Sequence, residues 1–446
     1  MEETNLFQNF NKTDIYKKQI DNICSNYKIK RDIEKEILYW KNNFPEMGLV
    51  LNGARQLGKT TLILSFCKKH FDQVFYINLR SDEGEFFLNK YKETNNTIEA
   101  IALTSKVYLE EPLLNSENTV IIIDEIQESK HTYEQLKNLI ISLNCRIIFT
   151  GSYLGQLIDE KAFHSAGYTF ALELQPLSFK EAYSYLKSKY SVEEYFDLYL
   201  TYGGYPAIVQ KMRNDYTEND INLIFNNIIK IFVEESLDYV PVNFRSIYEK
   251  ILNRMLSISA QKVVTHNYEV FEINLPIEEN ITKTNYEDLI YKAFNWLYGC
   301  KLTINVDPFP LTSKQIGKLQ SKIKKVEKDK KLLLRFYFND CGILNYLYNT
   351  SEQTSQRNIK GAILENFIYN ELYKKQNEYK TFYSRFGDPE IDFILINNNN
   401  KEIIGLEIKN NLTNSKSLNS YVEADIFNNY FILTKNDILN YIKKSF

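Results

Sequence analysis

Short apolar runs alternate along this chain with stretches of helical periodicity. In residues 10–46, Ile33, Ile37 and Trp40 fall at i, i+4 and i+7, on one face of a helix. From Met47 the pattern changes. MGLVLN, QVFYINL, TVIIID and RIIFTG are apolar almost throughout, and TTLILSFCKKHF, EGEFFLNKYK and YEQLKNLIISL between them read as helices. Strands that are apolar on both faces and alternate with helices predict a parallel α/β sheet covered on both sides, running to about Leu177. Residues 178–235 read as helices broken by the turn Gly203-Gly204-Tyr205-Pro206, and 236–345 mix helices and short strands. From Lys360 to the C-terminus the order reads helix, strand, strand, strand, helix, with Asn397 to Asn400 as a hairpin loop between IDFILI and IIGLEIK.

Composition narrows the class. A length of 446 residues predicts about three domains. A hydrophobic fraction of 44% beside 25% charged residues excludes disorder as the main state. The net charge of −3 excludes a wholesale basic coat but leaves room for a local basic surface. Cys24, Cys67, Cys145, Cys300 and Cys341 form no C-x-x-C pair, and His70, His131, His164 and His266 form no ligand spacing, so neither a disulfide framework nor a zinc site is expected. The acidic start MEETNLFQNF lacks an apolar signal core, and no apolar run is long enough to span a membrane. The expectation is a cytoplasmic protein without a membrane partner.

The strongest chemical signal is Gly53-Ala54-Arg55-Gln56-Leu57-Gly58-Lys59-Thr60, which fits G-x-x-x-x-G-K-[ST] between a strand and a helix. Glycines let the backbone curl so that its N–H groups face phosphates, and the helix N-terminus adds a positive dipole end. Lys59 is placed to reach the β- and γ-phosphates and the Thr60 hydroxyl to ligate Mg²⁺, with Thr61 next in the helix. The run Val120-Ile121-Ile122-Ile123 delivers Asp124 to a strand end for the same Mg²⁺, and Glu125 follows as candidate general base. Arg146-Ile147-Ile148-Phe149 leads to Thr150 and Ser152, candidates for contacting the attacking water or the γ-phosphate.

A second constellation lies near the C-terminus. Asp392 sits in the apolar strand EIDFILI, and Glu407 and Lys409 share one face of GLEIK. Glu365 lies beside Ile368 and Leu372 in the helix GAILENFIYNELYK, where an unpaired carboxylate costs several kcal/mol. Three such carboxylates make a hard oxygen site for Mg²⁺ or Mn²⁺, and Lys409 would orient a hydroxide or stabilise charge. The lysine-rich stretch from Ser313 to Arg335 reads either as a surface for phosphate backbones or as a solvated segment of mixed charge.

Together GARQLGKTT (53–61), DEIQ (124–127), FTGS (149–152), LQPLSFKEA (174–182), GGYP (203–206), YFNDCGIL (337–344), GAILENF (361–367), PEIDF (389–393) and GLEIK (405–409) resemble prokaryotic, archaeal-type AAA ATPases that carry a C-terminal domain of unknown function. That C-terminal part is similar to PD-(D/E)xK nucleases. The resemblance implies an N-terminal helical segment (1–46), an AAA-type P-loop ATPase core (47–177), a helical lid (178–235), a winged-helix-like region (236–345) and an αβββα nuclease-like domain (346–446). It carries Lys59, Thr60, Asp124 and Glu125 onto the ATPase site and Glu365, Asp392, Glu407 and Lys409 onto the nuclease-like site. The chain departs from the family where Gly167-Tyr168 replaces the common Gly-Arg; Arg55 and Arg80 are the candidate substitutes. The expected cofactors are ATP and Mg²⁺, with Mn²⁺ as an option at the nuclease-like site. The expected partner is DNA, and a homo-oligomer is left open. The competing expectation is a nucleotide-dependent switch whose C-terminal fold binds DNA or protein without cutting.

Overall fold

The apolar runs after Met47 become the strands of one parallel sheet. A computed structural model describes residues 11–152, 167–261, 283–320, 335–351, 359–385, 390–409 and 416–444. They fall into two units, one of 1–175 with 299–301, the other of 176–298 with 302–446. Some sequence features lie outside the described residues: His164, His266, Pro389 and the stretch 321–334 of the lysine-rich run.

In the first unit, strands β1 (Gly48–Asn52), β2 (Gln73–Asn78), β3 (Thr119–Asp124), β4 (Arg146–Thr150) and β5 (Thr169–Glu173) assemble in the order β2-β3-β4-β1-β5. Every neighbouring pair is parallel. All residues of β3 and β4 are buried, whereas the edge strand β5 is half-buried at best, as an all-parallel sheet covered on both faces requires. The expected helices form, the first as Lys12–Ser25 and Glu34–Asn43, where Ile37 and Trp40 are buried. The helix Thr97–Tyr108 and strand β5 were not anticipated. The first has a helical apolar face, but β5 is a short segment of mixed polarity with no strand alternation to announce it.

The second unit begins with the helices Phe179–Leu186, Val192–Tyr202, Pro206–Met212 and Glu218–Ser236. Capping boxes start three of them, Ser178 with Glu181, Ser191 with Glu194 and Thr217 with Asp220, and Pro206 opens the fourth at its first turn. Helices Arg245–Gln261 and Lys283–Gly299 follow. Six strands then form one sheet in the order β11-β10-β9-β8-β6-β7: β6 (Thr303–Pro308), β7 (Arg335–Phe338), β8 (Tyr379–Arg385), β9 (Glu390–Asn397), β10 (Ile403–Ile408) and β11 (Asn429–Leu433). The hairpin through Asn397–Asn400 forms as anticipated, with Lys401 N–H donating to the Asn397 carbonyl at 3.0 Å. Two features depart from the sequence reading. β11 and the helix Lys435–Lys443 follow the expected last helix, and β6 and β7 join the C-terminal sheet although they precede residue 346.

Three of the diagnostic motifs meet at one joint in this unit. Asp340 caps the helix Cys341–Thr350 by accepting from Gly342 N–H at 2.9 Å and Ile343 N–H at 3.2 Å. Its other oxygen accepts from Gly204 N–H at 2.7 Å. Leu177 N–H donates to the Gly204 carbonyl at 2.8 Å. Gly203 has φ +68°, and a Cβ there would lie 1.9 Å from Asp340 Oδ1, so only glycine fits. These motifs join distant segments of the unit through hydrogen bonds to the backbone.

Candidate functional site

The nucleotide-site candidates converge at the C-terminal edge of the parallel sheet. Residues Gly53 to Gly58 form the loop between β1 and the helix Lys59–His70, which Lys59, Thr60 and Thr61 open. Gly53 (φ +148°) leaves no room for a side chain, since a Cβ would stand 2.4 Å from the Leu174 carbonyl oxygen. Gly58 (φ +83°) turns the chain into the helix and meets no neighbour, so its requirement is conformational. Lys59 is buried and donates to the carbonyls of Gly53 at 2.8 Å and Ala54 at 2.9 Å.

Asp124 ends β3, and its register puts it level with the end of β4. Its Oδ2 accepts from the Thr60 hydroxyl at 2.6 Å and the Tyr76 hydroxyl at 3.0 Å, and Oδ1 accepts from Glu125 N–H at 2.9 Å. Burial and then the adjacent Glu125 charge push the Asp124 carboxyl above its ordinary range, against the bonds it accepts. Glu125 sits in the left-handed region (φ +54°) and pairs with Arg55 at 2.8 Å; its other oxygen accepts from Gln127. Arg80 pairs with Glu128 at 2.6 Å. Thr150 and Ser152 are buried, and their hydroxyl oxygens have no hydrogen-bond partner among the described residues. Sequence reasoning missed Tyr76 and Arg31. Arg31 is buried and donates to the carbonyls of Leu57 and Gln175, bracing the phosphate loop from below. Tyr76 lay in a visible strand; Arg31 stood among other charges and gave no signal.

The second constellation gathers in the six-stranded sheet. The β8–β9 register shifts between Phe382 and Ser384, opposite the stretch Ile391–Ile394 that contains Asp392. Bulges of this kind re-aim side chains. Asp392 Oδ2 accepts from Ile408 N–H at 2.8 Å. Burial, then the Glu365 charge, push its pKa up to about 7. Glu407 is buried, with Oε1 paired to Lys409 Nζ at 2.6 Å and Oε2 lacking any hydrogen-bond partner among the described residues. That bond raises the Lys409 pKa. Glu365 Oε1 accepts from the Tyr337 hydroxyl and lies 3.4 Å from Arg335 Nη1.

Arg335 is the correction here. Read as the end of a lysine-rich surface, it is instead 3% exposed, in β7, with its guanidinium 4.7 Å from the centre of the Tyr383 ring. The signal was present: Arg335 stands in the apolar run LLLRFYF, where a surface residue is out of place. Among the described residues, no group of three or more His, Cys, Asp or Glu side chains is arranged to hold a metal ion.

Residues 46–183 match the family model described as AAA domain. This part of the chain is an AAA-type P-loop domain. Residues 360–444 match a family described only as a domain of unknown function, DUF4143. An uncharacterized protein of Haemophilus influenzae is 26% identical over 192 residues, 40% of this chain and 44% of that protein. The alignment thus spans less than half of that relative's length. An uncharacterized protein of Methanocaldococcus jannaschii is 23% identical over 402 residues, 81% of this chain and 75% of that protein. Among solved structures, the Aeropyrum pernix ORC1 protein in complex with DNA aligns at 11% identity and TM-score 0.33, over 73% of this chain and 94% of the other. The Thermotoga maritima RuvB Holliday junction branch migration motor aligns at 15% identity and TM-score 0.30, over 66% and 95%. Scores this low carry no argument about function. Among the described residues no helix is long and apolar enough to cross a membrane.

Proposed function

We propose that this chain is an AAA-type protein that binds and hydrolyses ATP, binds DNA, and carries a metal-dependent nuclease-like domain at its C-terminal end. The observation that carries the ATPase part is the 2.6 Å bond between Thr60 and Asp124 beside a phosphate loop with buried Lys59. Thr60 and Asp124 are the oxygen pair that would hold Mg²⁺ with the nucleotide, where the ion shields charge on the phosphates. The loop N–H groups and Lys59 bind the phosphates. Glu125 takes a proton from the attacking water once freed from Arg55, and Thr150 or Ser152 orients that water. ATP binding is expected to draw the helices of 178–235 in as a lid. Residues 236–345 are the region proposed as winged-helix-like, and DNA is the partner proposed for it.

The nuclease-like reading is supported by the order helix, three antiparallel strands, helix, and by Asp392 on β9 and Glu407 on the neighbouring β10, with Lys409 directly after its end. The buried, unpartnered Glu407 Oε2 and the Asp392 carboxylate fit a hard divalent cation, which would lower the pKa of a bound water. Lys409 then steadies the developing negative charge. One observation favours the second reading, a nucleotide-dependent switch that binds DNA or protein without cutting: Arg335 and Lys409 already pair two of the three carboxylates.

Supercoiled plasmid and single-stranded DNA, in Mg²⁺ or Mn²⁺, with and without ATP, separate the two. Cutting by the wild type that vanishes in Asp392→Ala supports the nuclease, and its dependence on Lys59 shows whether ATP gates it. Intact ATP hydrolysis with no cutting in any condition supports the switch.

A further inference from the structure

Asp124 is held by a side chain that belongs to no phosphate-loop pattern. β2 is an edge strand of the parallel sheet. Its register puts Asn78 level with Asp124, so Tyr76, two residues earlier, lies on the same face of the sheet. From there the phenol reaches along the strands, and its hydroxyl donates to Asp124 Oδ2 at 3.0 Å. Tyr76 and Asp124 are both buried, where a hydrogen bond is electrostatically stronger than in water.

The backbone of Tyr76 is fixed as well. The Tyr16 hydroxyl, from the helix Lys12–Ser25, accepts from Tyr76 N–H at 2.7 Å and donates to the Tyr76 carbonyl at 2.8 Å. One hydroxyl thus serves both groups that an edge strand would otherwise leave unpaired at this residue. Tyr76 is anchored at its main chain by a helix and delivered at its tip to a carboxylate.

The other donors to Asp124 do a different job. Thr60, at 2.6 Å on the same Oδ2, is itself the expected Mg²⁺ ligand, so its oxygen has to serve the ion. Glu125 N–H, at 2.9 Å, holds the opposite oxygen. A buried carboxylate that loses a donor loses solvation that nothing returns, and its orientation toward an ion is less well fixed.

Resting on the Mg²⁺–ATP reading of this site, we infer that Tyr76 is a positioning residue for the divalent ion: its hydroxyl fixes the orientation in which Asp124 presents a carboxylate oxygen to Mg²⁺. It acts through Asp124 alone.

A fluorescent, slowly hydrolysed ATP analogue bound to the full chain tests this. Mg²⁺ is titrated at fixed analogue, and analogue affinity is measured separately in EDTA. The fluorescence reports the nucleotide site and needs no turnover. Tyr76→Phe removes one hydroxyl and should raise the half-saturating Mg²⁺ about tenfold, the effect expected of an outer partner of a metal ligand. Its affinity in EDTA should equal that of the parent, a split that a merely structural role would not produce. Tyr16→Phe is the control for packing: it loosens the same strand edge, so it should lower the melting temperature and leave the Mg²⁺ midpoint unchanged. An unchanged midpoint in Tyr76→Phe, an equal loss of affinity in EDTA, or an equal rise in Tyr16→Phe would each overturn the inference. Failure of the reading beneath it looks different: the parent itself then shows no Mg²⁺-dependent binding, and the inference falls with it.

Discussion

Replacing Asp340 by alanine tests the joint that organises the second unit. The substitution removes the cap of the helix Cys341–Thr350, which costs about 1 kcal/mol. It also strips Gly204 N–H of a buried acceptor, which costs about 1–3 kcal/mol. A loss of about 2–4 kcal/mol follows near pH 5. Burial works in the opposite direction, lifting the Asp340 pKa from 3.8 to about 6 despite the three N–H groups it accepts from. The folded state therefore holds a proton that the unfolded chain releases, and this contribution is full below pH 3.8 and gone above about pH 6. Between pH 5 and pH 8 the wild type loses about 1.4 kcal/mol from this one group, and the alanine variant loses none of it. The stability gap should therefore narrow by about that amount as the pH rises. Urea unfolding of both proteins at the two pH values, followed by circular dichroism, measures it. A gap that stays constant or widens would refute the buried-carboxylate account of this joint.

Three further outcomes are expected at the nucleotide site. Gly53→Ala should abolish nucleotide binding in a filter assay and lower the melting temperature, because φ +148° and the Leu174 carbonyl leave no place for a Cβ. Thr60→Ala should cost about 1–3 kcal/mol in urea unfolding of the nucleotide-free protein, since it takes a donor from buried Asp124, and should suppress Mg²⁺-dependent hydrolysis. Glu125→Gln should bind ATP as tightly as the parent while hydrolysis falls by about 10²–10⁴-fold, measured by phosphate release.

The parallel sheet was legible because buried strands such as TVIIID are apolar at every position and its helices carry their own apolar faces. The phosphate loop was legible because its glycines, lysine and threonine are close in sequence. The opposite held for residues that act across long separations. Arg31 reaches the loop through Leu57 and Gln175, and no local pattern announces that. Arg335 meets Glu365 only because β7 joins the C-terminal sheet through β6, a pairing that neither segment encodes by itself. The motifs around Gly203 and Asp340 stood out in the sequence without declaring a role, because their meaning is a backbone contact between distant segments.

The most direct test of the account is steady-state hydrolysis of Mg²⁺-ATP by the purified chain and by Lys59→Ala, with and without DNA. Phosphate release by the wild type, lost in Lys59→Ala and altered in rate by DNA, is the predicted result. Absence of hydrolysis by the wild type, or hydrolysis that survives Lys59→Ala, would contradict the claim that the P-loop domain is a working ATPase.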